Sequence, residues 1–292
     1  MAVTASLRAS KWESRDIFMA IVVFSVHVLS LFAPFTFTWP AFWVAFVLYV
    51  LTTGFGVSLC FHRNLTHRSF KLPKYLEYLF AYFGLHALQG DVFYWVSTHR
   101  YHHKVSDTER DPHSPLEGFW FSYMGWVFDL NKSTNKGVSY SNIQDLLSQP
   151  YYRFLEKTHV LQAYLLVVLL YMLGGIPFVV WGMGVRTVMS YHALFLVNSI
   201  GHKWGRRAWN TGDLSTNNWY MALFTFGDGW HNNHHAFEWS ARHGLEWWEI
   251  DLTWYFIKLL AYLGLATEIK TPSEIHKKKI SFNHENGDIK TM

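Results

Sequence analysis

Histidines form three tight clusters in this sequence. The clusters are His62-Arg-Asn-Leu-Thr-His67, His99-Arg-Tyr-His102-His103 and His231-Asn-Asn-His234-His235. On a helix, positions i, i+3 and i+4 lie on one face, so each His-x-x-His-His group is predicted to point three imidazoles toward one place. His62 and His67 are a five-residue step apart, which predicts that their helix ends or bends between them.

Eight imidazoles in three groups are typical of a metal site. They exceed the needs of one tetrahedral zinc and suit two six-coordinate ions that keep positions open for dioxygen. Iron fits imidazole ligands and oxygen chemistry, although the ligand type alone would also admit zinc or copper. The one cysteine, Cys60, excludes a cysteine-based metal cage and an intrachain disulfide. We interpret the scattered histidines as ordinary hydrogen-bonded groups: His27, His86, His159, His192, His243, His276 and His284.

Long apolar segments must position these clusters. Half of the 292 residues are hydrophobic and only 16% are charged, against about a quarter in soluble domains. No Asp, Glu, Lys or Arg occurs at 17–62, where Pro34 and Pro40 interrupt the apolar run, or at 158–185. We predict an all-α integral membrane protein with four transmembrane helices in two hairpins, the second turning at 182–186, and a cytosolic helical cap that holds the histidines.

Basic residues lie beside the same ends of both predicted hairpins. By the positive-inside rule, both termini and both histidine-bearing blocks, 62–157 and 203–292, face the cytosol. We predict one domain over 1–292, in which 1–16 is an N-terminal cytosolic segment, 17–269 the core and 270–292 an exposed tail. No Ser- and Arg-rich transit peptide precedes the first span, which favours the endoplasmic reticulum membrane over the plastid. The basic residues form no stripe suited to nucleic acid.

The sequence resembles the integral-membrane acyl desaturases of the stearoyl-CoA desaturase type, most of all the plant delta-9 desaturase-like branch, over about 18–269. Besides the first cluster, the motifs that carry the resemblance are Gly90-Asp-Val-Phe-Tyr-Trp-Val-Ser-Thr-His99-Arg-Tyr-His-His-Lys, Asp111-Pro-His-Ser, Asn198-Ser-Ile-Gly-His202 and Gly227-Asp-Gly-Trp-His231-Asn-Asn-His-His. The resemblance implies an oxidoreductase that uses dioxygen to place a cis double bond, at delta-9 or nearby, in a long-chain acyl-CoA or acyl lipid. The sequence has no flavin, nicotinamide or fused haem motif, so electrons must come from outside; the resemblance implies cytochrome b5.

The resemblance also implies roles for particular residues. Two iron ions (Fe2+) would be held by nine histidines: His62, His67, His99, His102, His103, His202, His231, His234 and His235. Asn198 would contact the metal site through a water. Gln89 and Trp95 would line the bend of an acyl tunnel, and Leu194 stands there where a threonine is usual in the animal proteins. That departure leaves the position of the double bond open.

Carboxylates and basic residues near the clusters complete the expected site. A ligating imidazole should donate its second ring N–H to an acceptor, and five acidic residues lie beside the clusters: Asp91, Asp107, Glu109, Asp111 and Asp228. Exposed cations could dock the acidic face of cytochrome b5 or contact lipid headgroups; the candidates are Arg63, Arg68, Arg100, Lys104, Arg206 and Arg207.

Three other functions share parts of this pattern. A histidine-box hydroxylase would use the same ligands, but the whole-chain resemblance favours desaturation. A divalent-metal transporter would place its ligands inside the spans, whereas these clusters lie in the polar blocks. A haem-binding protein needs histidines paired across two membrane helices, and the histidines outside the clusters are scattered. Chain-length preference, acyl carrier and oligomeric state stay open.

Overall fold

A computed structural model describes residues 12–129 and 136–282. Within these ranges the regular elements are helices and no β-strand forms, as predicted. The principal helices are α1 (Ser14–Ser30), α2 (Trp39–Tyr49, continued by π-type turns at Val50–Thr66), α3 (Lys74–Leu85), α4 (Val92–Val105), α5 (Phe119–Tyr123), α6 (Gln144–Leu147), α7 (Pro150–Val179), α8 (Arg186–Ser199), α9 (Trp219–Phe224), α10 (His231–Ala236), α11 (Leu252–Tyr262) and α12 (Glu274–Ile280). Short π-type turns at Val180–Val185 join α7 to α8, and a 3-10 turn at Ile200–His202 ends α8.

The first hairpin forms where the sequence predicts it. The stretches Ser14–Phe35 and Trp39–Thr66 are each apolar and long enough to cross a membrane. Between them Thr38 caps α2 by accepting a hydrogen bond from the backbone N–H of Ala41 at 3.2 Å. Pro40 lies in the first turn of α2, where its missing N–H leaves no hydrogen bond unmade.

The second turn lies elsewhere than predicted. A third apolar stretch, Pro150–His202, has 53 residues and would be about 80 Å long if straight, far more than a bilayer core. It is broken at Gly174 and Gly175, whose φ angles of −158° and 65° are non-helical. Beyond the break the chain folds back, because a Cβ added at Gly182 would lie only 2.8 Å from Leu170 Cδ1.

Arg186 explains why the prediction placed this turn too late. Its charge suggested a solvent-exposed turn, but the residue is fully buried. Its guanidinium donates hydrogen bonds to the carbonyl oxygens of Gly182 and His86, so the charge is satisfied inside the helical bundle. The left-handed φ of Gly175 is the feature that turns the chain, and only glycine adopts it readily.

Helix α3 and the continuation of α2 touch through backbone at Gly56 and Gly84. A Cβ at Gly56 would lie 2.2 Å from the backbone nitrogen of Gly84, so neither position has room for a side chain. This contact brings α3 directly against the end of α2 that carries His62, and the buried side chains of α2, α3 and α4 form one core. The histidine-bearing ends of α2 and α4 are thereby fixed relative to one another.

The predicted terminal segments are described only in part. Residues 1–11 and 283–292 lie outside the described ranges. The described part of the predicted tail contains α12, which is largely exposed. The tail is held to the cap, since Asn210 N–H donates to the carbonyl of Ile280 at 3.0 Å.

Candidate metal centre

Nine imidazoles converge in two adjoining sets. The first set comprises His62, His67, His99, His103 and His234, and the second comprises His102, His202, His231 and His235. In each set, one nitrogen of every ring lies within 4.8 Å of the others. These are the nine histidines named from the sequence. The sets adjoin, because the rings of His103 and His235, one from each set, have centroids 4.5 Å apart.

Helical geometry divides each His-x-x-His-His cluster between the two sets. Positions i+3 and i+4 differ by about 100° around a helix axis. On α4, His99 and His103 therefore join the first set while His102 joins the second. On α10 the division is reversed, with His231 and His235 in the second set and His234 in the first. The expectation that one cluster points at one place was thus wrong in detail, since each cluster serves two sites.

The inner nitrogens approach one another closely. The Nε2 atom of His234 lies 3.0 Å from that of His62 and 2.9 Å from that of His103. In the second set the Nε2 atoms of His231 and His202 are 2.8 Å apart. The Nε2 atom of His67 is buried without a hydrogen-bond partner. Lone pairs at such distances repel unless a proton or a cation lies among them, so these donor sets fit two imidazole-binding metal ions.

In five of these rings the Nδ1 atom, which faces away from the centre of its set, contacts a carboxylate. The Nδ1 contacts are His62 with Asp228 at 3.3 Å, His102 with Asp111 at 3.0 Å, His103 with Glu238 at 3.5 Å, His202 with Asp107 at 3.0 Å and His235 with Asp213 at 2.8 Å. An outer carboxylate fixes the ring and leaves Nε2 free for a metal. Asp107, Asp111 and Asp228 were predicted from their place beside the clusters.

Two of these carboxylates were missed and two predicted ones lie elsewhere. Glu238 follows the third cluster and could have been found by adjacency, whereas Asp213 reaches His235 through the loop after His202 and had no sequence signal. Asp91 instead caps α4, accepting the N–H groups of Phe93 and Tyr94. Glu109 is exposed and makes no ion pair with any of the described histidines.

Two further histidines extend the cluster. His243, given an ordinary role from the sequence, is 1% exposed. Its ring centroid lies 4.4 Å from that of His234, and its Nδ1 lies 3.2 Å from Asp228 Oδ1. The ring of His113 packs against that of His102, with centroids 4.3 Å apart and planes tilted by 35°. Neither has the spacing of a cluster; His113 belongs to the Asp111-Pro-His-Ser motif, whereas only the fold reveals His243 as a neighbour of the nine.

Burial keeps most of these rings neutral. Burial first, and the neighbouring imidazoles second, lower the pKa well below its ordinary value in five of them: His67, His99, His103, His231 and His234. Burial also lowers the pKa of His235, to about 4. Burial opposes charge on His102 too, but the carboxylate of Asp111 outweighs it and raises that pKa. Neutral imidazole is the form that binds a metal.

Arg63 anchors the first set from behind. It was predicted to be an exposed docking residue, but it is fully buried. Its guanidinium lies 3.1 Å from Asp228 Oδ1 and 2.9 Å from Asp251 Oδ2. Burial would raise the pKa of Asp228, but His62, His243 and Arg63 together hold it well below its ordinary value. Asp228 therefore stays ionised behind His62.

Two cavities share Leu194 in their lining, and the smaller one reaches the rings. The first has a volume of 520 Å³, is mainly apolar, and is lined by Gln89 and Leu194. The second is a narrow space of 40 Å³ lined by Leu194, Trp95 and Asn198 together with His62, His99 and His231. The three residues predicted to line a tunnel thus meet where the two cavities adjoin, and Leu194 belongs to both.

A polar cavity reaches the first set from another side. It has a volume of 340 Å³ and is lined by Thr66, His67, Arg68, Arg100, His103, Asn142, Glu238 and Trp239. We call it the polar opening. The narrow apolar cavity is lined by His62 and His99 and the polar opening by His67 and His103, so the two reach the same imidazole set at different rings. This arrangement suits a reaction that joins an apolar substrate to a water-soluble reactant.

Comparisons with known proteins agree with this geometry. Residues 37–267 match the model of the family described as Fatty acid desaturase. An "Acyl-CoA C20 Delta5-desaturase" of Anemone leveillei is 64% identical over 94% of this chain and 88% of that protein. In Arabidopsis thaliana, the "Palmitoyl-monogalactosyldiacylglycerol delta-7 desaturase, chloroplastic" is 58% identical over 94% of this chain and 74% of its own length. "Delta-9 acyl-lipid desaturase 1" is 51% identical over 93% of this chain and 88% of its own length.

Proposed function

Because this chain belongs to the fatty acid desaturase family, and is therefore an oxidoreductase that acts on fatty-acyl chains, we propose that it places a cis double bond in a long-chain acyl-CoA or acyl lipid at two iron ions held by the nine histidines. The observation that supports this most directly is the meeting of two imidazole sets with the end of an apolar cavity. The membrane spans would be four, in two hairpins, with the histidines in a cytosolic cap.

Bound iron would supply the oxidising power that removes two hydrogens from adjacent methylenes, which histidine and carboxylate chemistry cannot do. Dioxygen takes two electrons and two protons from the acyl chain, and two of each from outside, and leaves as two waters. The protein's part is positioning and dryness. Leu194 and Trp95 enclose the acyl chain beside His99, while Asn198 faces the narrow cavity with His231, where it is placed to hold a water.

The double bond is proposed to start at one of carbons 5 to 9, counted from the carboxyl group. Similar proteins are named for delta-5, delta-7 and delta-9 products. All three double bonds lie within the first ten carbons of the acyl chain, and we propose that the 520 Å³ cavity before Leu194 holds the carboxyl segment. This range contains the expected delta-9 product but is not limited to it.

Electrons would enter at the polar opening. We propose cytochrome b5 as the donor, docked on a basic rim around this opening. The guanidinium-bearing side chain of Arg68 is 61% exposed. On α12, Lys278 and Lys279 are exposed, and α12 adjoins the opening because the ring of His276 lies 5.2 Å from that of Trp239. An acidic carrier would be attracted to this rim.

Charge reversal tests the docking site. Lys278→Glu combined with Lys279→Glu should slow reduction by cytochrome b5 and weaken its dependence on salt. The matched control is Lys157→Glu with Lys258→Glu, two exposed lysines that lie on α7 and α11 instead of α12. Equal reduction rates in both double variants would contradict the proposed docking site.

Expression in yeast that lacks its own desaturase tests the activity. We expect a new unsaturated fatty acid, close to two irons per purified chain, and loss of product and iron in His102→Ala and His234→Ala. His276→Ala, outside the two sets, should keep its iron. Membrane-inserted protein that holds iron but yields only hydroxylated fatty acids would contradict desaturation. We propose the endoplasmic reticulum membrane as the location, to be tested by fractionation against plastid markers, since one similar protein is named as chloroplastic.

A further inference from the structure

Four polar side chains form a hydrogen-bonded network where the two cavities adjoin. Trp95 Nε1 donates to Gln89 Oε1 at 3.1 Å. Gln89 Nε2 in turn donates to Ser190 Oγ at 3.2 Å, and Thr53 Oγ1 donates to the same oxygen at 2.9 Å. The four residues come from α4, the loop before it, α8 and the extension of α2.

The direction of these hydrogen bonds is fixed by their first member. An indole N–H can only donate, so the oxygen of the Gln89 amide must face Trp95 and its nitrogen must face Ser190. Ser190 Oγ therefore accepts from Gln89, and the geometry of the Thr53 contact makes Thr53 Oγ1 the donor to the same oxygen. Ser190 is 0% exposed and Thr53 is 6% exposed, so water cannot replace either bond cheaply. The hydroxyl of Ser190 therefore joins Gln89 to Thr53, and the carbonyl oxygen of Ser190 is a second acceptor for Gln89 Nε2 at 3.3 Å.

The loop that carries Gln89 is held to the same place a second time. Leu88 has a φ of 58°, a left-handed conformation that is unfavourable for leucine and that persists only where the surroundings enforce it. Its carbonyl accepts from Tyr191 Oη at 2.7 Å, next to Ser190 on α8. Two adjacent residues of α8 thus hold two adjacent residues of this loop in one position.

One end of this hydrogen-bonded network lies beside the histidine rings. The ring centroid of Trp95 lies 5.1 Å from that of His99. Gln89 lines the wide cavity, and both Trp95 and Thr53 line the narrow one. Leu194, one helical turn after Ser190, lines both. Any movement of this hydrogen-bonded network would therefore alter the passage between the two cavities.

We propose that Ser190 and Thr53 are positioning residues that set where the double bond forms. By fixing Gln89 and Trp95 at the passage, their hydroxyls determine which pair of methylenes lies beside the histidines. Neither hydroxyl takes part in the chemistry. The inference rests on the proposed desaturase function and adds to it a determinant of regiospecificity.

The test is the ratio of double-bond positional isomers made in desaturase-deficient yeast. Ser190→Ala and Thr53→Val each remove one hydroxyl, and we expect the share of neighbouring isomers to rise about twofold to tenfold, the equilibrium factor that one net hydrogen bond represents. Thr53→Ser keeps the hydroxyl and should restore the original ratio. Because a ratio does not depend on protein amount, partial loss of folding in one variant leaves it readable, and iron content should be unchanged.

Thr52→Val is the matched control. Thr52 lies on the same helix as Thr53 and is also buried. Its hydroxyl donates to the backbone carbonyl of Leu48 and so does not belong to the hydrogen-bonded network. The proposal is overturned if Ser190→Ala and Thr53→Val give the isomers of the unmodified protein, or if Thr52→Val shifts them as much. Absence of any unsaturated product from the unmodified protein would instead refute the desaturase function, and this inference with it.

Discussion

Asp213 shows how a carboxylate far along the sequence can orient a metal-binding histidine. Its Oδ2 contacts His235 Nδ1 at 2.8 Å, while its Oδ1 accepts hydrogen bonds from Thr211 and Ser215. Asp213→Asn should therefore lower iron content or turnover about tenfold to a hundredfold, the usual effect of losing an outer partner of a ligand. Glu109→Gln, at an exposed carboxylate predicted from sequence for the same role, should change neither. Equal iron content and turnover in both variants would show that Asp213 does not hold the ring.

The buried imidazoles predict a definite response to pH. Burial lowers the pKa of His235 to about 4, from an ordinary value near 6.5. Between these values the unfolded chain binds more protons than the folded one, so folded stability rises with pH and is lost as pH falls from 6.5 toward 4. Protons also compete with metal for the same nitrogens. We expect the iron content per chain, measured after dialysis across this range, to decrease steadily as the pH is lowered. Full iron content at pH 4.5 would contradict this.

Leu194 is the residue where side-chain volume should affect the product. It lines both cavities, so Leu194→Thr widens the passage beside Trp95. We expect a changed double-bond position or chain-length preference with activity partly retained, and the same for Trp95→Ala. Leu165→Thr, at a leucine on the outer surface of α7, is the control. If fatty acid analysis finds the same isomers in the same proportions, and only the rate of product formation falls, both residues fill space in the core and do not select the product.

At the scale of elements, the contact of α2 with α3 sets the place of the first histidine cluster. Gly56→Ala would put a methyl group 2.2 Å from the backbone nitrogen of Gly84, and backbone cannot rotate away as a side chain can. We expect overpacking to destabilise the fold by about 1–3 kcal/mol. Thermal unfolding in detergent measures this. Gly125→Ala, whose new Cβ would lie 3.3 Å from its nearest neighbour, should have the smaller effect.

At the scale of the whole molecule, two hairpins would bring both histidine-bearing blocks to one face of the membrane. The break at Gly174 and Gly175 makes this possible, since it turns the 53-residue stretch back on itself. We therefore expect a protease to remove a tag placed after Met292 from sealed microsomes whose cytosolic face is outward. Protection of that tag would place the C-terminus on the lumenal side and would contradict the predicted arrangement of four spans with cytosolic termini.

The sequence alone determined those features that depend on neighbouring residues. Helical spacing gave three histidine clusters, and uninterrupted apolar runs with Pro34 and Pro40 gave the first hairpin, because hydropathy and turn chemistry act over a few positions. Motif resemblance added His202, which has no cluster of its own. These features sufficed to predict the fold class and all nine converging histidines.

Only the tertiary structure decided how distant segments share the site. The division of the imidazoles into five and four depends on how α4 meets α10, where His103 and His234 are 131 positions apart. Hydropathy treats every arginine as exposed, yet Arg63 and Arg186 are buried because carboxylates satisfy the one and carbonyls the other. Asp213 reaches His235 through a loop whose path no local pattern specifies. Contacts between remote residues depend on packing and charge pairing, which the order of residues along the chain does not display.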